Sequence, residues 1–325
     1  MRSVLLALIG VTALQVLIMG QAPLVLVRTI ELPAVEGRID HLSVDLEQNR
    51  LFIAALGNNS VEVVDLSSGL LSKSITGFHE PQGIQFLSEQ KAIVVANGEA
   101  GNLQVVDGGG LQLANAIRLS DDADNVRYDQ RAKRLYVGHG SGALAAIDPA
   151  SWRVLGNAQL SGHPESFQLE TSGPRIFVNV PTANHVAVVD RNVMKVLTTW
   201  PLSGARSNFP MALDEANHRL LVGCREPARL LVYDTESGRQ VDAVDVCGDT
   251  DDLFYDANRK RLYVSCGEGF LDVFDLSQRR LSRIAHIATA GGARTSLFVP
   301  QQSRLFLAVP HRGDQRAEVR IYEAR

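Results

Sequence analysis

Short apolar runs, each opened by a basic residue, recur along this chain at intervals of about forty-two residues. Six open on arginine: Arg50-Leu-Phe-Ile-Ala, Arg134-Leu-Tyr-Val-Gly, Arg175-Ile-Phe-Val-Asn, Arg219-Leu-Leu-Val-Gly, Arg261-Leu-Tyr-Val-Ser and Arg304-Leu-Phe-Leu-Ala. Lys91-Ala-Ile-Val-Val fills the remaining slot. Runs this short, apolar throughout and rich in β-branched and aromatic side chains, predict strands buried on both faces. About eleven residues later each unit carries a second run closed by an acid, from Val61-Glu-Val-Val-Asp65 to Leu271-Asp-Val-Phe-Asp275, with Val319-Arg-Ile-Tyr-Glu323 closing the series. The acid starts a turn, clearest in Asp65-Leu-Ser-Ser-Gly69 and Asp234-Thr-Glu-Ser-Gly238, where Asp bonds the backbone and Gly takes positive φ. A third run precedes each basic residue, as in Leu42-Ser-Val-Asp45, Val126-Arg-Tyr-Asp129 and Met211-Ala-Leu-Asp214.

Each unit therefore reads as strand A, a tight polar turn, strand B at the basic residue, a variable loop, strand C, a turn and strand D. Seven such units predict an all-β, seven-bladed β-propeller with four-stranded antiparallel blades. Leu24-Val-Leu-Val-Arg-Thr-Ile30 lies ahead of the first unit, and the last unit stops just after its strand C at Arg325. The N-terminal strand is expected to supply the outer strand of the seventh blade and so remove an open edge. One propeller domain is expected over 23–325. Residues 1–22 break the pattern. Arg2 is followed by a run from Val4 to Met19 that is apolar except for Thr12 and Gln15, then by Gly20-Gln21-Ala22. That order predicts a secretory signal peptide, short for a membrane span, and a periplasmic or secreted protein with no stable membrane insertion after its removal, the alternative being an uncleaved N-terminal anchor.

The R-L-[FY]-V-x core and its V-x-V-x-D companion resemble the YncE-like, YVTN-repeat seven-bladed propellers of bacterial secreted proteins. The resemblance covers about 290 residues, with Leu135-Tyr-Val-Gly138 and Leu262-Tyr-Val-Ser265 nearest the Tyr-Val-Thr-Asn tetrad. It implies the fold and no single reaction.

Function has to be sought in positions that do not repeat. In a propeller the loops entering strand A and those between strands B and C emerge on one face, and the A–B and C–D turns on the other. The turns here are short, polar and interchangeable, whereas the loop face differs from blade to blade. Its candidate ligand-binding residues are Asp40, His41, Glu80, Gln82, Asp124, Asn125, His163, Glu165, Arg206, Asn208, Asp251, Asp252, Arg294 and His311. Distinct polar groups converging on the mouth of a central channel suit a small polar molecule, a peptide or a protein segment. The alternative is a metal-assisted or acid–base hydrolase or lyase, since lactonase-like and streptogramin-lyase-like propellers are similar in build. In that case His163 with Glu165, or His41 with Asp40, would move the proton. His41, His163 and Asp124 are also the candidate ligands for a bound metal ion, a nitrogen and oxygen set suited to a transition metal. Arg206 and Arg294 either hold a substrate carboxylate or pair with Asp251 and Asp252.

Other chemistries find less support. No organic cofactor is expected, because quinone-dependent propellers lean on repeated tryptophans and only Trp152 and Trp200 are present. A net charge of −4 with no lysine- or arginine-rich block lacks the footprint of a nucleic-acid partner. Of Cys224, Cys247 and Cys266, one pair is expected to bridge and one thiol to remain, as Cys224–Cys247 or Cys247–Cys266.

Overall fold

The computed structural model describes residues 22–325, so the expected leader, apart from Ala22, lies outside the described residues. Seven four-stranded antiparallel sheets form a ring. Blades 1 to 6 run over 42–76, 81–118, 126–159, 167–201, 206–245 and 250–288. Blade 7 joins 296–324 to the N-terminal strand Leu24–Glu31. That strand pairs antiparallel with Glu318–Ala324, from Leu24 opposite Ala324 to Glu31 opposite Glu318, which closes the ring as expected.

The burial of each strand follows its apolar pattern. Strand B is buried almost throughout, as in Arg50–Ala55 and Arg261–Cys266, because a neighbouring blade covers each of its faces. Strand D, on the rim, is largely exposed, as in Lys195–Pro201. Seven apolar clusters of described residues account for the core, one at each junction between neighbouring blades. The cluster between blades 7 and 1 contains Ile30, Leu51, Phe306 and Ile321, so the N-terminal strand closes the core as well as the hydrogen-bonded ladder.

Strand A lines a central channel of about 380 Å³, with Ser43, Gln85, Arg127, Gln168, Ala212, Phe254 and Leu297 at equivalent positions in blades 1 to 7. Cys247 bridges Cys266, which ties the blade 5–6 connection to strand B of blade 6. Cys224 is a free thiol without access to solvent, and burial pushes its pKa up to about 12.

Candidate functional site

The loops entering strand A converge over one end of the channel and enclose a cavity of about 150 Å³. All seven blades reach it: Arg38, Asp40 and His41 before blade 1, Gln82 from blade 2, and Asp122, Asp124 and Asn125 before blade 3. His163, Glu165 and Ser166 enter before blade 4, Phe209 and Arg225 from blade 5, Asp251 from blade 6 and Arg294 before blade 7. Five carboxyl groups thus face three guanidiniums and two imidazoles across a space of a few ångströms.

One half of the mouth, from blades 1, 3 and 4, is built of acids and imidazoles. His163 Nδ1 donates to the Gly140 carbonyl at 2.7 Å. Its Nε2 therefore turns toward Asp124, 3.8 Å away. Ligand atoms of Asp124, His163 and Glu165 all lie within 4.8 Å of one another. His41 lies between Asp252, at 3.7 Å, and Asp40, at 3.9 Å. Asp40 also accepts from Arg38 at 2.8 Å. Asn125 is 3% exposed, and its Oδ1 has no hydrogen-bond partner.

The other half, from blades 5, 6 and 7, is a lattice of arginine and aspartate. Arg225 donates to Asp251 at 2.5 Å and stacks over the Phe209 ring with 3.6 Å to its centroid. Arg294 pairs with Asp251 at 2.9 Å and with Asp249 at 2.8 Å. A backbone amide of blade 7, Ser296 N, donates to Asp252 at 2.7 Å.

Crowding these groups together out of water raises the proton affinity of His41, His163, Glu165 and Asp251 and lowers that of Asp124. Burial opposes a charged ring at His41, yet the Asp252 and Asp40 carboxylates outweigh it and hold the pKa at about 10. At His163 burial is likewise outweighed, by Asp124, the Gly140 carbonyl and Asp122, giving about 9. Burial and the neighbouring Asp124 and Asp251 push the Glu165 carboxyl up to about 8. Burial raises Asp251 to about 6 against the pull of Arg225 and Arg294. Asp124 moves down despite its burial, because both imidazoles face it. At neutral pH the mouth therefore presents charged imidazoles and a protonated Glu165, a donor-rich surface beside the Asp124 carboxylate.

The mouth gathers nine of the fourteen candidates: Asp40, His41, Gln82, Asp124, Asn125, His163, Glu165, Asp251 and Arg294. Asp252 stands just below them, in the channel. The other four lie elsewhere. Glu80 is exposed and donates its amide to Asn59. Arg206 is exposed on the rim and pairs with Glu226 at 2.8 Å, so it meets neither Asp251 nor Asp252. Asn208 is fully buried, joining blades 4 and 5 through Asn179 and the His185 carbonyl. His311 pairs with Glu36 at 2.7 Å. Three arginines of the mouth and channel fall outside the fourteen candidates, one of them Arg225 near the end of strand B of blade 5. Arg38 sits two residues before Asp40 in a connection of little pattern. Arg127 holds the second position of strand A, where aligning the seven strands exposes it as the one charged residue.

No family model matches the chain. It is 26% identical over 174 residues to the uncharacterized protein YncE of Salmonella typhimurium, covering 52% of this chain and 48% of that protein. The YncE of Salmonella typhi gives the same identity and coverage. The chain spans about half the length of the curated relatives it matches, and the likeness fits a YncE-like propeller. Among solved structures, a chain of the mitotic checkpoint complex superposes with a TM-score of 0.78 at 15% identity, covering 99% of this chain and 98% of its own. A chain of Kuenenia stuttgartiensis hydrazine synthase gives 0.75 at 15% identity, covering 86% and 95%. At that identity both speak for the fold alone.

Proposed function

We propose that this protein is an exported propeller that binds a small dipolar molecule, or the end of a peptide, in the mouth of its channel. The observation that carries this reading is the convergence of ten ionisable side chains from six of the seven blades around a cavity that also holds the unpartnered Asn125 oxygen. A cavity near 150 Å³ takes a molecule of roughly ten non-hydrogen atoms or fewer, about benzene-sized. Its two halves suit opposite ends of one ligand. Arg225 and Arg294 would hold a carboxylate, while Asp124 and the Asn125 oxygen accept from an amine or hydroxyl. Export draws its support from the apolar run ending at Met19 and from the Cys247–Cys266 bridge, a bond that persists in oxidising compartments. Among the described residues no helix is long and apolar enough to cross a membrane.

The test is calorimetric titration of the purified protein with a panel of amino acids and small hydroxy acids, repeated on Arg294→Ala and Asp124→Asn. Binding that weakens at least tenfold in both variants is expected. A panel in which nothing binds, or binding that both variants retain, would sink the reading.

The Asp124, His163 and Glu165 convergence favours a second reading, in which a transition metal sits between them. A ligating histidine characteristically donates its other nitrogen to a backbone carbonyl, as His163 does to Gly140. A metal there would polarise a bound carbonyl or activate water for hydrolysis or elimination. Near-stoichiometric metal by plasma mass spectrometry, lost in His163→Ala, would promote this reading over simple binding. Metal-free protein would remove it.

A further inference from the structure

On the turn face three of the strand-B arginines share one ionic device, and at the junction of blades 3 and 4 the pairing runs the other way. The arginine opening strand B pairs with the acid ending strand A: Arg50 with Asp45 at 2.8 Å, Arg219 with Asp214 at 2.7 Å, and Arg175 with Glu170. The same guanidiniums reach a carbonyl in the C–D turn of the next blade: Arg50 to Gly108 at 2.7 Å, Arg219 to Leu276 at 3.0 Å, and Arg175 to Thr235. Arg261 reaches the Pro23 and Arg325 carbonyls in blade 7. Arg28 of the N-terminal strand takes over toward blade 1, reaching Leu66, while Arg304 stays exposed.

Between blades 3 and 4 the direction reverses. Arg191, in the C–D turn of blade 4, reaches back to take Asp129 at 2.5 Å and also donates to the Glu170 and Gly173 carbonyls. Asp129 is the acid that Arg134 would otherwise hold. Asp148, opposite Arg134 across the ladder, spends its carboxylate on Ala150 and Ser151 of its own turn. Arg134 is half-buried and, among the described residues, makes no side-chain hydrogen bond or ion pair. It borders a cleft of about 630 Å³ lined also by Asp129, Arg131, Ser172, Arg191 and Asn192. Three arginines against one carboxylate leave a surplus of two positive charges there.

We propose that this cleft, on the face opposite the channel mouth, is a site for a small dianion whose carboxylate or phosphate is held by the free fork of Arg134 with Arg131 beside it. A guanidinium presents a planar pair of donors matched to an oxyanion, and half-burial limits competition from water. The cleft has room for more than the anionic group alone, so a small metabolite carrying the dianion fits better than a bare ion.

Titration of the purified protein with succinate and, separately, with inorganic phosphate tests this and distinguishes the two sources of the oxyanion. One-to-one binding of at least one of them is expected. Arg134→Ala should weaken it about tenfold or more, the effect of losing one charge-assisted pair. Arg134→Lys should recover part of that loss, and Arg294→Ala at the mouth should leave it unchanged. Arg134 makes no side-chain bond among the described residues, so its variants should fold as the parent does, and Arg131→Ala gives a second handle on the same cleft. Failure of both anions to bind in the millimolar range would overturn the proposal. So would binding that survives Arg134→Ala and is lost in Arg294→Ala, which would place the anion in the mouth.

Discussion

The two faces of the ring use charge in opposite ways. On the turn face, Arg50, Arg175 and Arg219 each pair with one acid and also satisfy a carbonyl of the next blade, so charge there acts as mortar between blades. On the loop face, acids crowd against acids and share their cations, as Asp249 and Asp251 share Arg225 and Arg294. A group that repeats around the ring is there because the blade repeats. A group without counterparts has to be accounted for by something beyond the blade. Applied within the turn face, the same rule picks out Arg134 and the blade 3–4 cleft.

The contrast can be tested by removing one charge from each face. Asp214→Ala leaves the Arg219 guanidinium without its buried partner, and a loss of roughly 3 kcal/mol in denaturant unfolding is expected. At the blade 3–4 junction Arg134→Ala should change stability by no more than about 0.5 kcal/mol, since no bond is lost there. Equal losses in the two would mean that Arg134 is mortar as well. Replacing both Cys247 and Cys266 by Ala should cost up to about 3 kcal/mol by releasing a loop of 19 residues in the unfolded chain. Cys224 should resist alkylation in the native protein, as measured by mass spectrometry with and without denaturant.

A smaller effect comes from Glu215, which bridges blades 4 and 5 on the turn face by accepting from the Thr171 amide at 2.9 Å and the Ser172 amide at 2.6 Å. Partial burial raises its pKa, but the hydrogen bonds from Ser172 and Thr171 outweigh it and bring the carboxyl from 4.5 down to about 2. Because the folded value is depressed, the stabilisation is complete above pH 4.5 and disappears as pH falls through 2. Unfolding curves of the parent should weaken across that window more steeply than those of Glu215→Gln. Smallest of all, Glu165→Gln at the mouth should alter stability by no more than about 1 kcal/mol, because the amide replaces a carboxyl already held in its uncharged form beside Asp124 and Asp251. Loss of ligand binding in that variant with stability intact would sharpen the division between the faces. A large loss of stability would blur it.

The blades were legible because a period of about forty-two residues repeats seven times, and each repeat states its strands through buried runs and Asp-led turns. Closure was legible from what the ends lacked, a strand D after Val319-Arg-Ile-Tyr-Glu323 and a spare strand at Leu24. The mouth was legible only as a face. Sequence order places Asp40 and Asp251 two hundred residues apart, and only the curvature of the ring brings both to Arg38 and Arg294. Arg206 and Asn208 belong to the strand Arg206–Asp214 rather than to the connection before it, and their side chains turn to the rim and into the blade 4–5 seam. The register shifts between Asn208 and Met211, which breaks the alternation a regular strand would offer. The cleft at Arg134 was hidden for the opposite reason: its residues obey the repeat, and only the reach of Arg191 across the seam disturbs it.

The closing strand also sets an order of events. Leu24–Glu31 waits for Glu318–Ala324, so the first of the described strands to be made is among the last to find its partner. Until then blade 7 lacks its outer strand and the apolar surfaces flanking it stay uncovered, the long-range step that slows β-topologies and exposes them to aggregation. Once made, the same seam acts as a latch. The two ends are held side by side, with the Arg325 amide donating to the Pro23 carbonyl at 3.1 Å. Peeling Leu24–Glu31 away would therefore strip blade 7 of its outer strand and uncover the Ile30 side of the core between blades 7 and 1.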